Sequence, residues 1–211
     1  MFHKKFIKVV LTILATIIIS TGANAQTTPN ERQARQMFDK AYNLVFGPQG
    51  SRLHYDVNIL GLYKTNGTIW YKDKKAKFIE NRYLSWTDGV TYYLVDKKKK
   101  VVEVHRNDSD DKDQYSKEFK FNPEDYTYNV EAVDEGYQLT LKAKPGKKGM
   151  KEIKGIIDRK TYAPKSLKIK VKMIWARIKI SDFQSGNIDD SIFIFPKEQY
   201  KDYPVVDKRK K

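Results

Sequence analysis

From Leu53 onward the hydrophobic period of this chain is two, and turn residues interrupt it every few positions. Leu53, Tyr55, Val57 and Ile59 alternate with His54, Asp56 and Asn58, the spacing of a strand that turns one face away from water. In the stretch 166–173, Leu167, Ile169, Val171 and Met173 alternate with Ser166, Lys168, Lys170 and Lys172. Turn signals at 66–67, 72–75, 88–89, 96–100, 134–136, 145–149, 158–161 and 185–190 cut the chain into short strand-like runs. Short connections favour antiparallel neighbours. The expectation is therefore one antiparallel sheet of roughly nine to eleven strands, wide enough that it must curl or close. Asn66-Gly67 reads as a hairpin tip that sets Tyr63 opposite Trp70. Symmetric pairing of 90–95 with 101–105 places Val90, Tyr92, Leu94, Val102 and Val104 on one face, with Thr91, Tyr93, Glu103 and His105 on the other.

One segment ahead of the strands has helical period. Thr28-Pro29-Asn30-Glu31 is a capping box with proline at the first helical position, and Ala34, Met37, Phe38, Ala41 and Val45 recur at helical spacing until Gly47-Pro48. That predicts an amphipathic helix of about four turns. Beside a curled sheet its place is over the concave, apolar side. Spacing alone leaves open whether it packs there for stability or serves as a lid.

The first residues set the compartment. Positions 1–8 are basic, 9–19 are mostly apolar, and Ala23-Asn24-Ala25 follows as a cleavage site, the layout of a secretory signal peptide cut after Ala25. The apolar run falls short of the roughly 20 residues that span a bilayer. The expected mature protein is residues 26–211, one soluble, exported domain. The chain has no cysteine, which excludes disulfides, thiolate metal sites, thiol catalysis and lipid attachment to a cysteine. A formal charge of +15 suits nucleic acid, an anionic membrane or an anionic lipid equally. Export removes nucleic acid from the expected partners.

Catalytic motifs are missing: there is no G-x-S-x-G, H-E-x-x-H, P-loop or G-x-G-x-x-G. No catalytic residue, metal or cofactor is therefore expected, and the chain reads as a non-enzyme. His54 and His105 fall at polar-facing strand positions. Asp108, Asp110, Asp111 and Asp113 lack the glycine and distal glutamate of a calcium loop. Lys165, Lys168, Lys170 and Lys172, with Arg177 and Lys179, form a lysine-rich face. It is either the solvated outside of the sheet or a surface for anionic envelope lipid or polysaccharide. The strand aromatics, Trp70, Trp86 and Tyr92 among them, either fill a barrel interior or line a cavity for an apolar ligand.

Several of these segments, in order, resemble one family. Gly67-Thr68-Ile69-Trp70-Tyr71-Lys72, then Thr87-Asp88-Gly89-Val90-Thr91-Tyr92-Tyr93-Leu94-Val95-Asp96, then Phe193-Ile194-Phe195-Pro196, following a signal peptide and an amphipathic helix, resemble the LolA-like periplasmic carriers of outer-membrane lipoproteins. The resemblance covers nearly all of 26–211. It implies an unclosed antiparallel β-barrel with helices as a lid over an apolar cavity that takes lipoprotein acyl chains. It further implies an inner-membrane release complex as donor, an outer-membrane acceptor and a monomeric carrier. Two places depart from the family: Asp73 stands where an arginine usually ties the lid, and the polar segment 106–117 replaces apolar lid helices. The residues expected to line the cavity are Tyr55, Val57, Ile59, Trp70, Tyr92, Leu94, Val102, Leu167, Ile169 and Val171, covered by Met37, Phe38 and Ala41 of the helix.

Overall fold

In the computed structural model, which describes residues 28–109 and 121–209, Thr28 opens the expected helix. Its Oγ1 accepts from the Glu31 N–H at 3.1 Å. With Pro29 in the first turn, helix α1 runs over Pro29–Phe46 and buries Ala34, Met37, Ala41 and Val45 along one stripe. The signal-peptide segment, residues 110–117 of the polar segment and the last two residues lie outside the described residues.

Among the described residues twelve strands follow: β1 (Ser51–Ile59), β2 (Tyr63–Lys72), β3 (Lys75–Glu80), β4 (Tyr83–Thr87), β5 (Thr91–Asp96), β6 (Val101–Arg106), β7 (Tyr126–Val133), β8 (Gly136–Ala143), β9 (Met150–Ile157), β10 (Pro164–Val171), β11 (Ile174–Ser185) and β12 (Val205–Asp207). They form one sheet in the order β12-β6-β5-β4-β3-β2-β1-β11-β10-β9-β8-β7. Strands β1 to β11 are antiparallel to their neighbours, while the short β12 adds to β6 in parallel. Since β1 pairs with both β2 and β11, two meanders join into a ring in which, among the described residues, β6 and β7 do not pair. This is an unclosed, curled sheet.

Both edges at the opening are partly covered. β12 covers β6. Along β7 the helix start stands in for a strand: Asn30 donates from Nδ2 to the Val130 carbonyl at 2.8 Å and accepts the Val130 N–H at 3.1 Å. An exposed row of strand donors and acceptors invites pairing with other chains, and a side-chain amide satisfies both groups.

The register corrects several expectations. Asn66 and Gly67 are not a hairpin tip but lie inside β2, opposite Asp56 and Tyr55. The turn falls at residues 60–62, and Tyr63 pairs with Ile59. Gly67 is needed for another reason: the Tyr55 ring lies across it, and a Cβ there would crowd the Tyr55 hydroxyl and the Ile79 carbonyl oxygen. Across β5–β6, Tyr92 pairs with His105 and Val95 with Val102. Directly paired residues share a face, so Tyr92 and Leu94 lie with Glu103 and His105, and Val102 and Val104 lie on the opposite face with Tyr93 and Val95. His105 is consequently buried rather than polar-facing, in the hydrogen-bonded role such a histidine can take, with its Nε2 3.3 Å from Glu103. Met173 is not on the inner face either but stands at the exposed β10–β11 tip.

The reason Val102 is buried on the outside is the C-terminal segment. Phe195, Tyr200 and Tyr203 pack with Leu84, Trp86, Val95, Val102 and Val104 in a second core. Phe195 stacks on Tyr93 with ring centroids 4.4 Å apart and meets Trp86 edge-on at 5.5 Å. The main core lies on the concave side, in a cluster running from Val45, Leu53 and Tyr55 to Tyr92 and Leu94, and another joining Ala34, Met37 and Ala41 to β7 and β8. Among the described residues no helix is long and apolar enough to cross a membrane.

Candidate functional site

Between α1 and the concave face lies a partly open cavity of about 190 Å³. Its roof comes from helical spacing. Phe38, Tyr42 and Phe46 recur every four residues, so their rings form one stripe, with centroids 5.6 Å and 4.8 Å apart. Phe46 meets Tyr71 edge-on at 4.7 Å, and Phe38 meets Phe121 at 5.8 Å and Tyr128 at 5.4 Å. The floor is built by alternating residues from several strands, such as Leu53 and Val57 of β1, Leu141 of β8, Ile153 of β9, Leu167 of β10 and Ile178 of β11. Among the described residues no charged side chain lines this space.

Its polar atoms are few. The Tyr55 hydroxyl donates to Glu80 Oε1 at 2.6 Å behind Gly67. Burial, reinforced by the neighbouring Glu80 carboxylate, pushes the Tyr55 phenol far above its ordinary value. Burial also raises the Glu80 carboxyl, opposed by hydrogen bonds from Tyr55 and Thr65. Tyr42 in the roof is raised by burial alone. The Tyr71 hydroxyl is buried with no hydrogen-bond partner among the described residues. An orphaned buried hydroxyl costs about 1–3 kcal/mol, so Tyr71→Phe is expected to raise unfolding free energy by about 1 kcal/mol, as read by urea denaturation. A loss of stability would show that the hydroxyl is satisfied.

Of the residues expected to line a cavity, Phe38, Ala41, Tyr55, Val57, Leu167 and Ile169 border this one. Met37 and Ile59 are buried in the adjoining clusters, and Val171 packs against Met150 and Ile169. Tyr92 and Leu94 lie on the concave side in the cluster around Tyr55, away from the open space. Trp70 and Val102 do not face it. Trp70 pairs with Arg52 on the outer face, with the Arg52 guanidinium 5.7 Å and the Lys77 ammonium 5.3 Å from its ring centroid, and Val102 belongs to the outer core.

Tyr42, Phe46, Leu139, Leu141, Ile153, Ile157, Ile178 and Ile180 border the cavity without having been singled out. Their helical or twofold spacing is legible in the sequence, but the row of the sheet that meets the helix is not. Gly155 is the one gap in the β9 row. A Cβ there would stand 3.1 Å from Leu167 Cδ2, so its bare backbone keeps space open.

At the departure from the family pattern, Asp73 occupies the β2–β3 turn with φ 51°. The end of α1 is held close by without an arginine: the Asp73 N–H reaches the Gly47 carbonyl at 3.5 Å and Ser51 Oγ donates to the Val45 carbonyl at 2.7 Å. At its other end, Arg35 pairs with Glu124 at 2.9 Å.

The lysine face is divided by the structure. Lys168 and Arg177 are direct neighbours on the outer face, and Lys179 sits between Asp56 and Ser166. Lys170 lies 5.7 Å from the Trp175 ring centroid. Lys165 is drawn to the other end of the sheet by Asp158 at 3.1 Å, and Lys172 belongs to the β10–β11 tip. His54 Nδ1 is 3.4 Å from Thr68 Oγ1, and His105 Nε2 is 3.3 Å from Glu103. Among the described residues no group of three or more potential ligands could hold a metal ion.

No family model matches the sequence, and no curated protein does. Among solved structures, an uncharacterized conserved protein from Thermus thermophilus matches 83% of this chain and 99% of its own at 10% identity, with a TM-score of 0.58. A putative outer membrane lipoprotein-sorting protein domain from Vibrio parahaemolyticus matches over 82% and 100% at 10% identity, with a TM-score of 0.45. A LolA superfamily protein from Nitrosomonas europaea matches over 77% and 97% at 11% identity, with a TM-score of 0.31. The Thermus likeness is one of fold. Strand order, the open seam between β6 and β7 and the helix over the concave side together give this chain the unclosed, helix-covered sheet that its LolA-like resemblance implies.

Proposed function

We propose that this chain is a periplasmic carrier that takes the acyl chains of lipoproteins, or a related lipid, into the cavity under α1 and carries them toward the outer membrane. The observation that carries the proposal is a partly open space between helix and sheet whose walls hold no charged side chain among the described residues. Keeping an acyl chain out of water supplies about 0.8 kcal/mol per methylene, and no covalent step is required. The inner-membrane donor and outer-membrane acceptor follow from the family resemblance and form part of the proposal. So does the absence of enzymatic turnover.

The test is binding of an N-acylated peptide to protein recovered from the periplasm without detergent, followed by fluorescence. Gly155→Leu should weaken a long acyl chain about tenfold or more, because the new side chain occupies the cavity without adding polarity. Wild-type affinity in that variant would sink the cavity reading. Adding salt should change little, since apolar burial is not screened as exposed charge pairing is. Affinity that collapses with salt would instead favour a module that binds anionic envelope material through Lys168, Lys170, Arg177 and Lys179.

A further inference from the structure

Antiparallel pairing sends alternate loops to opposite ends of the sheet. One end collects the turns at 60–62, 81–82, 97–100, 144–149 and 172–173. These loops contain Arg82, four successive lysines at 97–100, the lysines of 144–149 and Lys172, and no carboxylate. Arg82 is paired with Asp96 at 2.7 Å and Lys147 with Asp125 at 2.7 Å, while Glu124 nearby is held by Arg35. The opposite end carries Asp134-Glu135, Asp189-Asp190, Asp73, Asp88 and Asp158 against Lys74, Arg159 and Lys160, with Lys72 and Lys75 paired to Asp190 and Lys165 to Asp158. Acids and bases nearly balance there, so the excess of positive charge collects at the first end, where the segment entering β12 adds Lys201 and Asp202.

The basic end also carries exposed apolar side chains. Leu60 and Leu62 of the β1–β2 turn are 62% and 75% exposed, and Met173 of the β10–β11 turn is 86% exposed. Ile59 pairs with Tyr63 on one side and Ala176 on the other, so the two hairpin tips stand side by side, about 10 Å apart at two strand spacings. Leu60 has φ 53°, a left-handed conformation that disfavours a bulky side chain and suits asparagine or glycine. The turn alone gives no reason for a leucine.

We infer that this end of the sheet docks on an anionic phospholipid bilayer, with Leu60, Leu62 and Met173 entering the interface and the loop lysines resting against the headgroups. A flat surface is the partner that can touch all five loops at once. Projecting apolar tips ringed by lysine fit the boundary between acyl chains and headgroups. The inference stands apart from the cavity, because none of these three residues borders it.

Co-sedimentation of the periplasmic protein with phosphatidylglycerol–phosphatidylcholine vesicles tests it. Binding is expected to the mixed vesicles, not to phosphatidylcholine alone, and to be released by salt. Leu60→Asn with Leu62→Asn and Met173→Asn should lower partitioning by roughly tenfold per leucine, and thermal unfolding should show the variant folded, since asparagine accepts the Leu60 conformation. Ile169→Glu, a cavity change, should leave sedimentation unaltered. Wild-type partitioning in the triple variant, equal binding to uncharged vesicles, or no vesicle binding would each overturn the inference, the last leaving a protein acceptor as the partner of this end. Loss of sedimentation in folded Ile169→Glu would overturn it as well, by assigning the association to lipid capture in the cavity.

Discussion

Ile169→Glu is expected to weaken binding of an N-acylated peptide by about a hundredfold or more at neutral pH, while Ile169→Met stays within a few-fold of wild type. Ile169 is 3% exposed, borders the cavity and packs with Met150 against Phe121, Ile153, Val171 and Ile178. A carboxyl group in those surroundings has two options. It stays protonated with a raised pKa, or it ionises and draws water into the space. Either one removes favourable transfer energy from methylenes that would otherwise leave water. Methionine preserves volume and polarity and so leaves the cavity as it is. Thermal unfolding and far-UV circular dichroism establish that each variant is folded before its affinity is compared. Unchanged affinity in folded Ile169→Glu would place the ligand elsewhere.

Gly67→Val is expected to destabilise the fold by about 3 kcal/mol, lowering the midpoint of thermal unfolding by roughly 6–12 °C in calorimetry. Its Cβ would stand 2.6 Å from the Ile79 carbonyl oxygen and push into the Tyr55 hydroxyl. That hydroxyl donates to Glu80 at 2.6 Å, so displacing it also leaves a buried carboxylate short of a donor. An unchanged midpoint would mean that β2 shifts without cost.

The same carboxylate makes stability depend on pH. Burial raises the Glu80 pKa above its ordinary value, against the lowering effect of its hydrogen bonds. Between the unfolded and the raised folded value the native state holds more protons than the unfolded one, so stability falls as pH rises through that window. Below the ordinary carboxylate range the penalty is absent. Glu80→Gln, which still accepts from Tyr55, is therefore expected to be more stable than wild type at neutral pH and to lose this part of the slope in urea unfolding series. A less stable Glu80→Gln at neutral pH would show that the ionised form is favoured in place.

Much of this fold is written locally. Thr28, Pro29 and Glu31 start the helix because capping needs only neighbours within one turn. Turns at 72–75, 88–89 and 134–136 fall where glycine, aspartate and lysine bend the chain, and a period of two marks the strands between them. What misled was parity. In β5 both faces carry apolar residues, and in β6 the apolar Val102 and Val104 face outward with Glu103 and His105 inward, because Phe195, Tyr200 and Tyr203 cover the outer face, so alternation there assigned Val102 to the wrong side. Trp70 misled in the opposite way: a large aromatic reads as core, yet it lies outside beneath the charged head groups of Arg52 and Lys77.

The sequence by itself determined a capped amphipathic helix, short antiparallel strands in chain order and a sheet too wide to stay flat, because each of these depends on residues a few positions apart. Tertiary structure alone decided that the ring opens between β6 and β7, that Asn30 caps Val130 on one of its edges, and that the rows through Leu141, Ile153 and Ile178 face the stripe of Phe38, Tyr42 and Phe46. Alternation shows that a strand has two faces. Which of them meets a cavity depends on the long-range pairing of β1 with β11 and on where the helix comes to rest.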